Sequence, residues 1–152
     1  MNIDALDKKI LKILQGSSRL TNAELADKVG LSASACHRRI KSLEEQGYIR
    51  DYATLLDPNK VGYPISVLLE VTLSQHSKEG LQAFERDVVR IPQVMECYFV
   101  AGDIDYHLRV VVRSTEDYER LYLDKLAVLP NVQRIKSMFA MRNIVRKTVL
   151  PI

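Results

Sequence analysis

Side chains able to hydrogen-bond to nucleic acid crowd into one short stretch: Ser32, Ser34, His37, Arg38, Arg39 and Lys41. On a helix, Ser34, His37, Arg38 and Lys41 fall on one face, with Arg39 beside it. Arg can pair bidentately with guanine, and Ser can reach either partner in the major groove. Ser34, His37 and Arg38 come early in the helix, where base edges are met. Lys41 and Arg39 suit phosphates, which fix register without reading sequence. Taken alone, such a cluster is more often the solvated face of an ordinary helix.

The elements around the cluster decide between these readings. Thr21 and Glu24 form a Thr-x-x-Glu capping box. Ala23, Leu25, Ala26 and Val29 then supply the apolar positions of a short helix. Gly30 sits where helices end in a left-handed residue, and Ser32 can cap the next helix. In that helix Cys36, Ile40 and Leu43 share the opposite, inward stripe. A capped helix, a glycine turn and a second capped helix with a basic outer face form a helix-turn-helix. Double-stranded DNA, as an operator, is the expected partner. Thr21, Ser32, Ser34, His37, Arg38, Arg39 and Lys41 are the expected contacts, with Arg50 a further phosphate candidate or a solvated strand end.

Bulk composition would not have pointed there. The 152 residues carry a net charge of only +3. Residues 1–63 hold ten Lys and Arg against eight Asp and Glu, so the positive charge is arranged locally. The apolar fraction of 47% supports a packed core. Two scattered cysteines, Cys36 and Cys97, fit a reducing compartment better than a disulfide framework. No targeting segment or apolar run long enough to span a membrane is visible, so a cytoplasmic location is expected. Metal-ligand spacings, nucleophile motifs and phosphate loops are missing as well, so no cofactor and no enzymatic activity are expected.

The chain divides into two halves. Asp4 can cap a helix carrying Leu6, Ile10, Ile13 and Leu14, which Gly16 and Ser17-Ser18 end. The helix-turn-helix follows, running to about Gln46 with Gly47 as its stop. Residues 48–56 alternate well enough for a short strand pair or an extended arm, the wing of a winged helix. Asp57 to Pro64 is dense in turn formers. Beyond it the period changes. Ile65 to Leu73 reads as a strand, and Ser77 caps a helix with Leu81, Phe84, Val88 and Ile91 on one stripe. Val94 to Ala101 is a second strand, and Gly102 to Asp105 a tight turn. Tyr106 to Arg113 is a third strand. Ser114 caps a second helix, and Val132 to Met141 is a fourth strand. The order βαββαβ is the ferredoxin-like split βαβ arrangement. The expected fold is thus α+β, with a winged helix-turn-helix domain at 1–56, a linker at 57–64 and a ferredoxin-like domain at 65–152. Leu68, Val111 and Met138 sit out of phase with the main stripes. A sheet with helices on one face would leave them uncovered, which predicts a homodimer through the sheets and closed higher assemblies.

Several short motifs, in this order, resemble the leucine-responsive and asparagine-responsive (Lrp/AsnC) regulator family. They are Asp4-x-x-Asp7-x-x-Ile10-Leu11, Glu24-Leu25-Ala26 with Val29-Gly30-Leu31-Ser32, and Arg39-x-x-x-Leu43-Glu44-x-x-Gly47-Tyr48-Ile49. Leu55-Leu56-Asp57-Pro58, Ala101-Gly102-Asp103-x-Asp105-Tyr106 and the ending Thr148-Val149-Leu150-Pro151-Ile152 complete the set. The resemblance covers essentially the whole chain. It implies a transcription regulator whose second domain senses a small amino acid, assembled from dimers into an octamer or a similar ring, with the effector between dimers near the Gly-Asp turn.

On that resemblance, Gly102, Asp103, Ile104 and Asp105 are the expected effector residues. Backbone N–H groups of such a turn can hold a carboxylate, and an aspartate can hold an ammonium. Gln133 and Ser137 of a neighbouring subunit would complete the pocket. The competing reading is a hairpin turn that Gly and Asp merely shape. Two other functions stay open at this level. One is an architectural DNA binder without an effector. The other is an enzyme like the haem-precursor decarboxylases that resemble this family, for which His107, beside Tyr106 and Arg109, would line a tetrapyrrole cleft.

Overall fold

The computed structural model describes residues 3–17 and 19–152. Helix α1 (Ala5–Gly16) opens on a capping box between Asp4 and Asp7, each carboxylate accepting the other's backbone N–H. Gly16 is its last helical residue, and the Ser17 N–H closes on the Ile13 carbonyl at 3.0 Å; Ser18, also expected there, lies outside the described residues. Thr21 and Glu24 form the second capping box, over α2 (Asn22–Val29), which ends at Gly30 with φ of 76°. Ser32 caps α3 (Ala33–Glu45) by accepting from the Ala35 N–H. Each such cap is worth roughly 1 kcal/mol. Ile10, Leu25, Ala26, Cys36 and Leu43 meet in the buried centre of this half, with Leu31 and Ile49 packed against it.

Of the two forms expected for residues 48–56, a strand pair or an extended arm, the strand pair is not formed. Tyr48 and Ile49 both donate to the Leu43 carbonyl as α3 ends. Residues 50–57 are all exposed and pair with no strand among the described residues. Alternation there buries nothing, and an isolated pair of strands without a buried face is marginal at best. The Tyr52 hydroxyl donates instead to Glu44 at 2.8 Å, and partial desolvation of the hydroxyl there, together with that carboxylate, pushes the phenol up to about 12. The turn formers at 57–64 fold as a hydrogen-bonded turn: Lys60 and Val61 donate to the Asp57 carbonyl, and Tyr63 to that of Pro58.

The second half holds β1 (Ile65–Leu73), α4 (Lys78–Val88), β2 (Val94–Phe99), β3 (Tyr106–Val112), α5 (Thr115–Leu121) and β4 (Val132–Phe139). The sheet is antiparallel, ordered β2-β3-β1-β4. Strands β2 and β4 stop two residues before the expected ends. The end of α5 widens into a π-helical stretch, Tyr122–Leu126, which the sequence pattern did not announce. Val67, Leu69, Val71, Leu73, Leu108, Val110 and Val112 point toward α4 and α5 and pack with Phe84, Val88, Tyr118 and Leu121. The other sheet face is uncovered in one chain. Leu68 stands there between Arg109 and Met138, and Val111 opposite Ser66.

The chain forms two compact units, one running to Leu55 and taking in Ile144–Ile152, the other Leu56–Asn143. The last nine residues therefore go with the DNA-binding half, although the motif order had joined them to the second domain. The cause is local: the Gln15 side-chain amide accepts from the Leu150 N–H at 2.6 Å and donates to the Leu150 carbonyl at 3.3 Å.

Candidate nucleic-acid interface and turn site

Helix α3 has the inward and outward faces that its spacing requires. Cys36, Ile40 and Leu43 are buried, while Ser34, His37, Arg38 and Lys41 are exposed. Burial pushes the Cys36 thiol up, so it is a packing residue rather than a reactive one. The Ser34 hydroxyl lies 3.2 Å from that of Ser32. The Asn22 side-chain amide lies 3.1 Å from His37 Nδ1. With Asn22 donating, the proton of a neutral ring sits on Nε2, which becomes a donor. Asn22 was not among the expected residues; as the first residue after a cap it gave no sign that it would contact His37.

Three of the expected contacts are engaged within the protein. The Thr21 hydroxyl accepts from the Glu24 N–H at 3.2 Å and donates to its carboxylate at 2.8 Å. Ser32 serves as the cap of α3. Arg39, expected at a phosphate, instead reaches Asp4 Oδ2 at 2.7 Å and Asp7 Oδ1 at 2.8 Å. Those carboxylates raise its already high pKa, and in return Arg39 and the Asp7 N–H lower that of Asp4. Lys41 has only a loose 3.7 Å pairing with Glu45. Arg50 is exposed just past the last residue packed on this core.

In the second unit the turn is closed by hydrogen bonds from Val100 N to the Asp105 carbonyl and from Asp105 N to the Val71 carbonyl. Gly102 has φ of 145°, a conformation closed to most side chains. Asp103 is exposed and Ile104 half-buried. Asp105 differs from both. Its Oδ2 accepts the Leu73 N–H at 2.7 Å, and His76 Nε2 stands 3.2 Å from Oδ2 and 3.1 Å from Oδ1. The carboxylate thereby fastens the turn to the end of β1. Gln133 and Ser137 lie on β4, with β1 between that strand and β3, so one subunit does not bring them to the turn through its sheet. Gln133 is exposed, and the Ser137 hydroxyl shares a short hydrogen bond with the Tyr118 hydroxyl. His76 went unrecognised in the sequence, because Asp105 is 29 residues away and only the fold joins them.

Tyr106, His107 and Arg109 do not form a common cleft. Tyr106 points into the core, 1% exposed, and donates to Glu85 at 2.8 Å. His107 and Arg109 alternate with it onto the uncovered face, where Arg109 is held by Glu96 at 2.7 Å. Both cysteines are free. Among the described residues there is no cluster that could hold a metal ion, and no helix is long and apolar enough to cross a membrane.

The sequence matches two protein families: winged helix-turn-helix DNA-binding over residues 3–50, and the Lrp/AsnC ligand binding domain over residues 66–150. It is 42% identical to the glutamate uptake regulatory protein of Zymomonas mobilis, over 99% of this chain and 91% of that one. The fold is similar to the crystal structure of an AsnC family transcriptional regulator from Agrobacterium tumefaciens, at 44% identity and a TM-score of 0.93, covering 98% of this chain and 97% of the other. It is equally similar, at 35% identity and a TM-score of 0.93, to a Neisseria meningitidis transcriptional regulator crystallised with L-Met, over 99% of this chain and 97% of that one.

Proposed function

The chain belongs to the Lrp/AsnC family of DNA-binding transcription regulators, and on that premise we propose that an amino acid held beside the Gly102–Asp105 turn, where subunits meet, sets its DNA affinity or its assembly. The observation that carries this reading is the pairing, in one chain, of an outward basic face on α3 with a positive-φ glycine turn that leaves Asp103 exposed. Ser34, His37 and Arg38 read bases, and Lys41 and Arg50 meet phosphates. Thr21, Ser32 and Arg39 serve the same interface by holding the helices. Gly102, Asp103, Ile104 and Asp105 form one wall of the effector site, and Gln133 and Ser137 of a neighbouring subunit complete it. The L-Met complex of the Neisseria relative supports an amino acid as the ligand.

Two copies pair through the uncovered sheet faces, burying Leu68, Val111 and Met138, and dimers close into an octamer or similar ring. Each dimer then presents two recognition helices to half-sites about one helical turn apart. The effector acts by binding one state of assembly better than another, and DNA must change effector affinity by the same factor. The protein is a cytoplasmic regulator, not an enzyme; the separation of Tyr106 from His107 and Arg109 speaks against the decarboxylase alternative.

The test is fluorescence anisotropy on DNA from the protein's own promoter at fixed salt, with and without each of the twenty amino acids. Specific binding shifted by one or a few of them is expected. Specific binding that none of them shifts favours the architectural reading, and a visible absorption band on adding haem would revive the enzyme.

A further inference from the structure

We infer that His76, held by Asp105, takes the α-carboxylate of the amino-acid effector, and that Asp105 is a positioning residue which acts through His76 rather than on the ligand's ammonium. The inference rests on the effector site proposed above and changes which residues supply its charges.

The Asp105 carboxylate is only 13% exposed, with the Leu73 N–H on Oδ2 and His76 Nε2 near both oxygens. Little of its surface is left for an incoming ammonium. His76 is the exposed end of the arrangement, at 65%. Its Nε2 faces Asp105, and its Nδ1 has no partner among the described residues. When both ring nitrogens carry a proton, the N–H on Nδ1 points away from Asp105. A charge-assisted bond from that N–H to a carboxylate is among the stronger contacts a protein makes.

The loop that carries His76 is built to hold the ring in place. Ser74 donates to the Asn131 carbonyl through both its backbone N–H, at 2.8 Å, and its hydroxyl, at 3.2 Å. Asn131, itself at φ of 60°, donates from its side chain to the Gly80 carbonyl at 3.2 Å. Gly80 lies so close to the loop that a Cβ there would meet the Gln75 carbonyl oxygen at 2.9 Å. Ser77 ends the loop as the cap of α4. The ring thus projects from a rigid loop beside the turn, and Asp103, two residues before Asp105, remains as the exposed carboxylate for the ammonium. The charged groups nearest in sequence are Lys78 and Glu79 at the start of α4, and neither is joined to His76 by an ion pair or hydrogen bond.

The experiment compares binding of the twenty L-amino acids, and of the α-carboxamide of each one that binds, to the full chain and to His76→Gln by isothermal titration calorimetry. Removing the carboxylate from the probe should cost the parent protein about tenfold in affinity, and the variant threefold or less. Asp105→Asn keeps an acceptor for the Leu73 N–H but removes the charge behind the ring. It should lose the same discrimination, and combining it with His76→Gln should add nothing. An acid-to-amide ratio that is unchanged in His76→Gln overturns the assignment while leaving the effector site standing. Failure of all twenty amino acids to bind the parent protein overturns the effector reading and this one with it.

Discussion

Arg39 on the recognition helix donates to Asp7 on the first helix at 2.8 Å, across 32 residues of sequence. With Asp4 at 2.7 Å on the same nitrogen, this contact ties the start of α1 to the middle of α3. The guanidinium is about a third exposed. A forked partner of this kind both orients the helix and keeps the arginine from the solvent.

Arg39→Ala should therefore lower the stability of the DNA-binding unit by about 1 kcal/mol, measured by urea denaturation. DNA affinity should fall without a change in the slope of log K against log salt, because no phosphate contact is removed. A slope reduced by about one would make Arg39 a phosphate contact after all.

Lys41→Ala and Arg38→Ala should separate. The first should weaken all DNA sequences alike and reduce the salt slope by about one. The second should cost roughly 1–3 kcal/mol on the operator and relax the preference at one base pair. Anisotropy titrations over a salt series distinguish them.

Acid should loosen the DNA-binding unit through its two capping boxes. Asp4 is lowered from 3.8, first by the Asp7 N–H and then by Arg39; Glu24 is lowered from 4.5, first by the Thr21 N–H. A carboxyl lowered in the folded state contributes stability that is fully present above its unfolded value and is lost as pH falls through the folded one. Stability should thus hold above about pH 5 and decline below 4. Carboxyl NMR titrations should place both midpoints below these ordinary values, with Asp4 moving back up in Arg39→Ala.

Gly80→Ala should destabilise the second unit, against the usual gain of up to about 1 kcal/mol from replacing a helical glycine. The new Cβ would press on a backbone oxygen, not on a flexible side-chain end. Gly30→Ala meets open space but keeps φ of 76°, and should cost about 1 kcal/mol by strain alone. Thermal unfolding of both variants checks the pair.

Leu68→Glu should convert the proposed dimer to monomer in sedimentation velocity. It places a charge at the centre of the uncovered face, between Arg109 and Met138, without touching the core on the other side. A dimer that survives it does not use this face.

The cap at Asp4, the capping box at Thr21, the left-handed Gly30 and the alternation along β1 were all legible because each is encoded by residues within a few positions. The βαββαβ order followed from the same local signals. What escaped was set by distance or by competition. The wing residues alternate but have nothing to bury against. The π-helical stretch after α5 carries no breaker. Arg39 reads as a phosphate contact until Asp4 and Asp7 fold against it, and nothing near His76 in sequence marks it until the turn arrives beside it. In each case a partner far away in sequence decided what a side chain was free to do.

The clasp between Gln15 and Leu150 makes the second unit an insertion. The chain leaves the DNA-binding unit after Leu55 and re-enters it at Ile144, so two peptide crossings link sensor to reader where a simple tandem of domains has one. Opening the two hydrogen bonds between Gln15 and Leu150 would leave one held crossing in place of two.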